Sequence, residues 1–336
     1  MRWRAGRHFL LGLLGLLALA ACGGEPDVDT NTADATATWR PKAKRQGNLR
    51  FATFNIRNFP VAADMVDSGK QPVAYQLETD QDRLRRVLDT LNADVIAVQE
   101  IWDGEELQRL VDRLAPEYTY QAVFATNDWS PQHVGLLVNT AKLTIEWKRD
   151  HPEVDITKSM RSGLSVRLVS KEDDGVDLTV MALHLASGES PSRGNLRRQQ
   201  AEVAAGIVAA EIEELGDDDY LVLGDLNTAR GEAELVDIDA AFAGADLSRR
   251  ANGTGCTAYF AENSKKPAVT GSVIDQVYIH GLGELDGSVP LLSGTHCAVH
   301  QCQGFESRDL QSGGTYWSVS DHCPVYFEIE DAGDDP

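Results

Sequence analysis

Six places along the chain set a chemically capable polar residue against an apolar run. Asn55 closes Leu49–Phe54, and Gln99-Glu100 closes Asp94–Val98. His184 closes Leu178–Leu183, and Asp225-Leu226-Asn227 follows Tyr220–Gly224. Two later places reverse the order: Asp275 precedes Val277–Ile279, and Ser320-Asp321-His322 precedes Val325–Ile329. The set holds the carboxylates Glu100, Asp225, Asp275 and Asp321, the imidazoles His184 and His322, and the amides Asn55 and Asn227. Hard oxygen ligands of this kind suit a divalent cation such as Mg²⁺, which takes few carboxylates and keeps several waters. An imidazole beside a carboxylate can take a proton from water. Cation, base and fixed donors are what hydrolysis of a phosphoric ester requires. Any one of these residues alone reads as a turn or surface group. The ordered set is what points to chemistry.

These residues need strands to hold them. The apolar runs are short and rich in β-branched and aromatic residues, as buried or half-buried strands are. Helical spacing appears between them: Leu84, Val87, Leu88 and Leu91 within Asp80–Leu91, and Leu107, Leu110, Val111 and Leu114 within Gly104–Leu114. Asn195–Leu215 is longer, with Ala and Val on one side. Helices alternating with strands early, then mostly strands, predict a layered α/β domain. Residues 48–330 suffice for one such domain with a sizeable core, and no internal repeat divides them.

Phe54-Asn55-Ile56-Arg57, Gln99-Glu100, Leu183-His184, Gly224-Asp225-Leu226-Asn227, Ile274-Asp275 and Ser320-Asp321-His322 stand in an order that resembles the endonuclease/exonuclease/phosphatase superfamily. Within it the chain is most similar to the pancreatic-type deoxyribonucleases. Met160-Arg161-Ser162 falls where those enzymes place a phosphate-binding arginine. The resemblance implies a four-layer α/β sandwich of two packed, mainly antiparallel sheets flanked by helices. It implies Glu100 as principal ligand of Mg²⁺ (or Mn²⁺ or Ca²⁺), with Asn55 and Asp321 supporting the metal region. It also implies that Asp225 and Asn227 orient water or metal, that Asp275 orients the base His322, and that His184 and Arg161 meet the phosphate. One departure stands out. Those nucleases pair the histidine matching His184 with a glutamate, where this chain has Gln132 or His133.

The N-terminus reads as an export signal. Arg2, Arg4 and Arg7 precede the apolar Phe9–Ala21, and Leu19-Ala20-Ala21-Cys22 resembles a bacterial lipobox. The expected organisation is a signal peptide over 1–21, a tether over 22–47 from a lipidated Cys22, the domain over 48–330 and a frayed acidic tail over 331–336. That places the protein at the outer membrane or cell surface, with a periplasm-facing position as the alternative, held by its lipid, with a phosphodiester (nucleic acid foremost) as substrate and no obligate protein partner. The formal charge is −21, and loss of the three leader arginines makes it −24, which argues against tight non-specific binding of nucleic acid. A sphingomyelinase-like or inositol-phosphate enzyme, or a binding lipoprotein with a degenerate site, are the competing functions. No cluster of Trp and Phe marks a lipid-inserting hairpin.

Cys256, Cys297, Cys302 and Cys323 remain after Cys22, an even number that suggests two disulfides in an exported chain. Three pairings are open. The expectation is Cys297–Cys302 as a small local loop and Cys256–Cys323 beside the proposed base. Arg197, Arg198 and Gln199 are expected on a solvated helix face, and Asn58 and Asp94 in turn and helix-terminal positions. Trp129 and Trp317 are expected in core or loop packing, and His280, His296 and His300 as structural or exposed.

Overall fold

Two six-stranded sheets each contain one parallel pair in otherwise antiparallel company. The computed structural model describes residues 39–332, apart from 68–76, 116–117, 127–129, 229–230, 252, 254, 262–267, 283–290 and 307–313. The signal segment, Cys22, residues 22–38 of the tether, Trp129 and residues 333–336 lie outside the described residues. Among the described residues, no helix is long and apolar enough to cross a membrane.

In chain order the strands are β1 (Asn48–Phe59), β2 (Val95–Ile101), β3 (Tyr120–Phe124), β4 (His133–Asn139), β5 (Leu143–His151), β6 (Gly163–Ser170), β7 (Asp177–His184), β8 (Tyr220–Asp225), β9 (Ser248–Arg249), β10 (Ala258–Ala261), β11 (Ala268–Ser272), β12 (Asp275–His280), β13 (Leu292–Ser293), β14 (Phe305–Glu306) and β15 (Val325–Glu330). One sheet runs β13-β15-β1-β2-β4-β3, the other β5-β6-β7-β8-β12-β9, and β10-β11-β14 forms a small third sheet. Only β1–β2 and β7–β8 are parallel among these pairs.

The two large sheets pack face to face over Phe51, Ala97, Leu136, Val166, Val180, Leu223 and Val277. Helices Gln81–Leu91 and Gly104–Val111 cover the outer face of the first sheet, burying the leucines and valines that the helical spacing predicted. Helices Pro191–Leu215 and Glu232–Phe242 cover the second. The four-layer sandwich is therefore as expected. Asp80 caps the first of these helices by accepting from the Arg83 N–H at 2.8 Å, and Asp103 caps the second through the Glu106 N–H at 2.8 Å.

Topology explains the reversed order of the late motifs. The polar residues of β1, β2, β7 and β8 follow their strands because parallel pairs end together. β12 runs antiparallel to β8 and β15 antiparallel to β1, so their chemistry must precede them to reach the same edge.

Two boundary expectations and one burial expectation change. The ordered chain begins before residue 48: Trp39 is buried against Tyr326, and Lys44 meets the buried Asp94 carboxylate at 2.8 Å. Residues 39–47 are thus held by an apolar anchor and an ion pair. Asp94 is a structural node, accepting also from the Arg50 N–H at 2.8 Å. Asp331 is tied rather than frayed, accepting from Ser170 Oγ at 2.9 Å and the Val176 N–H at 3.2 Å. Finally, Arg197 is fully buried rather than solvated, because Glu234 Oε1 and the carbonyls of Ala186 and Gly188 receive its guanidinium at 2.7, 2.7 and 2.8 Å.

Candidate active site

Strand alternation carries the core's facing pattern out to its polar end. Leu221 and Leu223 face the inter-sheet core, and two residues on stands Asp225. The same period takes Val180 and Ala182 to His184, and Ile279 and Val277 back to Asp275. His184, Asp225 and Asp275 are register partners across three adjacent strands. Gly224 permits this approach: it has φ +154°, and a Cβ there would lie 2.0 Å from the Leu183 carbonyl oxygen.

Asn55 reaches across from the first sheet. Its Nδ2 donates to Asp225 Oδ2 at 2.9 Å and to Glu100 Oε1 at 3.1 Å, while its Oδ1 accepts from the Arg57 N–H at 2.8 Å. That last bond fixes which way the amide points. Asn55 steadies two carboxylates and presents no oxygen to them. Glu100 arrives by a break in alternation. Ile96 and Val98 pack outward, so an unbroken strand would turn Glu100 outward too. Instead β2 shifts register between Val98 and Ile101 and Glu100 adopts φ +61°, which re-aims its carboxylate. The other oxygen, Oε2, accepts from the Asn58 N–H at 3.1 Å.

His322 donates through Nδ1 to Asp275 Oδ2 at 3.0 Å, and its Nε2 lies 3.6 Å from Asp225 Oδ2. Burial pulls its pKa down, but the charges of Asp275 and Asp225 and the bond to Asp275 outweigh this and hold it well above the ordinary histidine value. Burial, opposed by His322 and reinforced by Asp275, pushes Asp225 up to about 7. His184 is held well below its ordinary value by burial and by the charges of Arg161 and His322, so it stands neutral. Its Nε2 is 3.4 Å from Asp225 Oδ2 and 4.0 Å from Glu100 Oε1. Neither Gln132 nor His133 takes the place of the missing glutamate: Gln132 donates to Asn58 and His133 meets the Ala125 carbonyl. Among the described residues, His184 Nδ1 has no hydrogen-bond partner.

Arg161 and Asn227 share one anchor. Arg161 Nη2 donates to the Leu185 carbonyl at 2.7 Å and Asn227 Nδ2 donates to the same oxygen at 3.1 Å. Arg161 is close enough to Glu100 and Asp225 for their charges to act on it, and burial lowers its pKa. Asp321 stands apart, its carboxylate 3.4 Å from Arg57 Nε. Among the described residues, the oxygen and nitrogen groups close enough to share an ion are Glu100–His184–Asp225 and Asp225–Asp275–His322, and neither includes Asp321. Two crowded carboxylates, Glu100 and Asp225, bonded by one neutral amide leave negative charge to be offset. That donor set fits a hard divalent cation.

The disulfides differ from the expected pairing. Cys256 bonds Cys302, with Cα atoms 5.6 Å apart, and Cys297 bonds Cys323, with Cα atoms 6.1 Å apart. Ala258 bridges His322, and the Cys323 N–H donates to the Thr257 carbonyl at 2.8 Å. Cys323 is therefore opposite Thr257, and Cys256 is one residue out of step, where successive side chains of extended chain point to opposite faces. Cys323 is still bridged beside His322, but to the short helix Thr295–Val299.

The sequence reading gave no role at the site to Arg57, Asn58, Arg197, Gln200 or Thr257. Gln200 Oε1 accepts from the Ala186 N–H at 2.9 Å, so Arg197 and Gln200, three apart on one helix face, brace the segment after His184. That spacing was the available signal.

Residues 52–322 match the Endonuclease/Exonuclease/phosphatase family. The chain belongs to this family. Family members are phosphoester hydrolases and generally use divalent metals. No curated protein matches the chain's sequence. Among solved structures, an endonuclease/exonuclease/phosphatase family protein of Bacteroides thetaiotaomicron is similar at 19% identity and TM-score 0.54, covering 86% of this chain and 98% of its own. D. rerio TDP2 complexed with single strand DNA product is similar at 17% identity and TM-score 0.55, covering 84% and 98%. A mannosyl-6-phosphatase of Bacteroides thetaiotaomicron is similar at 18% identity and TM-score 0.52, covering 84% and 99%. At these identities the likeness concerns the fold.

Proposed function

We propose that this family member is a divalent-metal-dependent phosphodiester hydrolase of deoxyribonuclease type, exported and held at the cell surface by lipid on Cys22. The observation that carries the reading is the Asp275–His322–Asp225 line beside Glu100, with a neutral His184 and a cationic Arg161 on the same side. Mg²⁺ held by Glu100, with Asp225 close by, would offset charge on the phosphoryl oxygens. Asp275 holds the His322 ring and strengthens it as a base, and His322 takes the proton of the attacking water. Asn227, its backbone N–H bonded to Asp225 Oδ1 at 2.9 Å, keeps Asp225 in place. Arg161 and His184 steady the phosphate as donors. Without an orienting carboxylate, His184 acts as a hydrogen-bond donor rather than as an acid. Asp321 acts through Arg57 as a positioning residue.

The full chain with Mg²⁺ is expected to cleave plasmid DNA and a chromogenic phosphodiester in preference to sphingomyelin or an inositol phosphate, and to stop on chelation. Cleavage that persists after chelation overturns the metal-dependent reading. Arg161→Lys should bind phosphodiester more weakly although the charge is kept, because an ammonium lacks the rigid planar fork that matches two phosphate oxygens. An unchanged KM would remove Arg161 from the phosphate site. Export and anchoring rest on the lipobox and agree with the two disulfides, which persist in oxidising compartments. Labelled palmitate should enter the wild type and not Cys22→Ser. Equal labelling of both would sink that part.

A further inference from the structure

Three large apolar side chains are exposed among the described residues, and Trp102 is the aromatic one. It follows Glu100 by two positions. Its indole N–H donates to Asn58 Oδ1 at 3.2 Å, and the Asn58 N–H donates to Glu100 Oε2 at 3.1 Å. Gln132 Nε2 donates to the same Asn58 oxygen at 2.8 Å. The indole is thus fixed edge-on to the candidate metal ligand while its body stays open.

Trp102 lines a hollow of about 460 Å³ together with Gly104, Phe124, Thr126, His133 and Gln108. That volume lies in the range of small-ligand sites. The hollow depends on small residues beneath the Phe124 ring, since a Cβ at Gly104 or Gly135 would meet that ring at 2.7 or 2.5 Å. His133 Nδ1 faces the Ala125 carbonyl at 3.2 Å, a contact that requires a hydrogen on Nδ1. Among the described residues, the hollow therefore combines two aromatic rings with the hydrogen-bonding groups of Gln108, Thr126 and His133, and no Lys or Arg lines it. Glu105 stands at its rim.

A chain of formal charge −21 gains little from long-range attraction to a polyanion. Beyond the cation and Arg161 at the phosphate, uncharged contacts must then add to the grip on a nucleotide, and stacking on aromatic rings does so without regard to base identity. We infer that the Trp102–Phe124 hollow is a subsite for the nucleobase of the nucleotide whose phosphate lies at Glu100. This rests on the phosphodiester reading above. It predicts that, among nucleic acids, strands with an unpaired base next to the scissile phosphate are cleaved faster than paired duplex. A lipid tail fits less well, given the hydrogen-bonding groups of Gln108, Thr126 and His133 and the Glu105 carboxylate among the apolar lining.

Two measurements test this on the full chain. Calorimetry compares deoxyadenosine monophosphate with base-free deoxyribose 5-phosphate. Kinetics compare a single-stranded oligonucleotide with the same strand made abasic at each position in turn. The wild type is expected to prefer the base-bearing ligand by about tenfold or more in both. Trp102→Ala should erase most of that preference through KM, and Trp102→Phe should restore it. Equal binding of both ligands, or an equal loss on intact and abasic strands in Trp102→Ala, overturns the subsite. Base-selective binding with no hydrolysis of any phosphodiester supports the subsite and sinks the enzymatic reading instead. Hydrolysis without base selectivity does the reverse. Trp102-dependent binding to sphingomyelin vesicles without base selectivity overturns the subsite in favour of a lipid.

Discussion

Asn55, Glu100, His184, Asp225 and Asp275 sit on strands of the two large sheets, whereas Asp321 and His322 sit on the turn that leads into β15. The sheet-borne residues inherit their places from ladders that also build the core, with His184, Asp225 and Asp275 side by side in register. The turn has only an isolated bridge to Ala258 and must be tied from several sides. Ser320 Oγ donates to the Asn55 carbonyl at 2.6 Å and accepts from the His322 N–H at 3.0 Å. Thr257 accepts the Cys323 N–H with its carbonyl, and its hydroxyl accepts the N–H groups of Ile274 and Asp275, each at 3.0 Å. The Cys297–Cys323 bridge completes the set. The base is thus placed by ties that can be cut without unmaking a sheet, while its partner Asp275 is not.

The largest expected effect comes from removing the base while leaving both regions standing. His322→Ala should lower the hydrolytic rate by about 10² to 10⁴, with little change in thermal midpoint. Near-full activity on the best substrate would show that the turn carries no base. On the sheet-borne side, Arg197→Ala should cost about 3–5 kcal/mol of stability, because it removes a buried guanidinium that pairs with the Glu234 carboxylate and bonds the Ala186 and Gly188 carbonyls. Denaturant unfolding measures this, and a loss under 1 kcal/mol would mean that the segment after His184 needs no brace.

Smaller effects should separate the two bridges. Cys297→Ala/Cys323→Ala and Cys256→Ala/Cys302→Ala should each cost about 2–4 kcal/mol of stability. Only the first should also lower kcat, since Cys323 adjoins His322. Equal kcat in the two double variants would contradict the tie between bridge and base. Smallest of all, Thr257→Val should cost about 1–3 kcal/mol by leaving two buried N–H groups unpaired. Its kcat should fall more than its KM rises, because the hydroxyl links Asp275 to the His322 turn. A stability loss with unchanged kcat would make Thr257 a fold residue alone.

Much of this arrangement was legible along the chain. A period of two continued past a hydrophobic run locates a polar residue on the core-facing side of a strand end, so Asn55, His184, Asp225 and Asp275 could be named from pattern and order. The helices over 81–91 and 104–111 followed from leucine spacing. What alternation cannot give is an exception to itself. At the end of β2 it favours Gln99, which bonds Thr53 instead, with Gln99 Nε2 at 3.2 Å from Thr53 Oγ1. Only the register shift and the left-handed backbone at Glu100 bring that carboxylate inward. The cysteine pairing depended likewise on which residue faces Cys323 across a bridge between distant segments, a one-residue matter that no local spacing encodes. Arg197 looked solvated because a charged residue on a helix usually is. Its burial was decided by Glu234, 37 residues on, and by two carbonyls after His184 that wait for a donor. The sequence by itself determined which groups gather at one edge of the sandwich, since strand period and direction are local properties. The tertiary structure decided which of them face the same point and what holds the turn of His322, since register, bulge and burial are set between segments far apart in the chain.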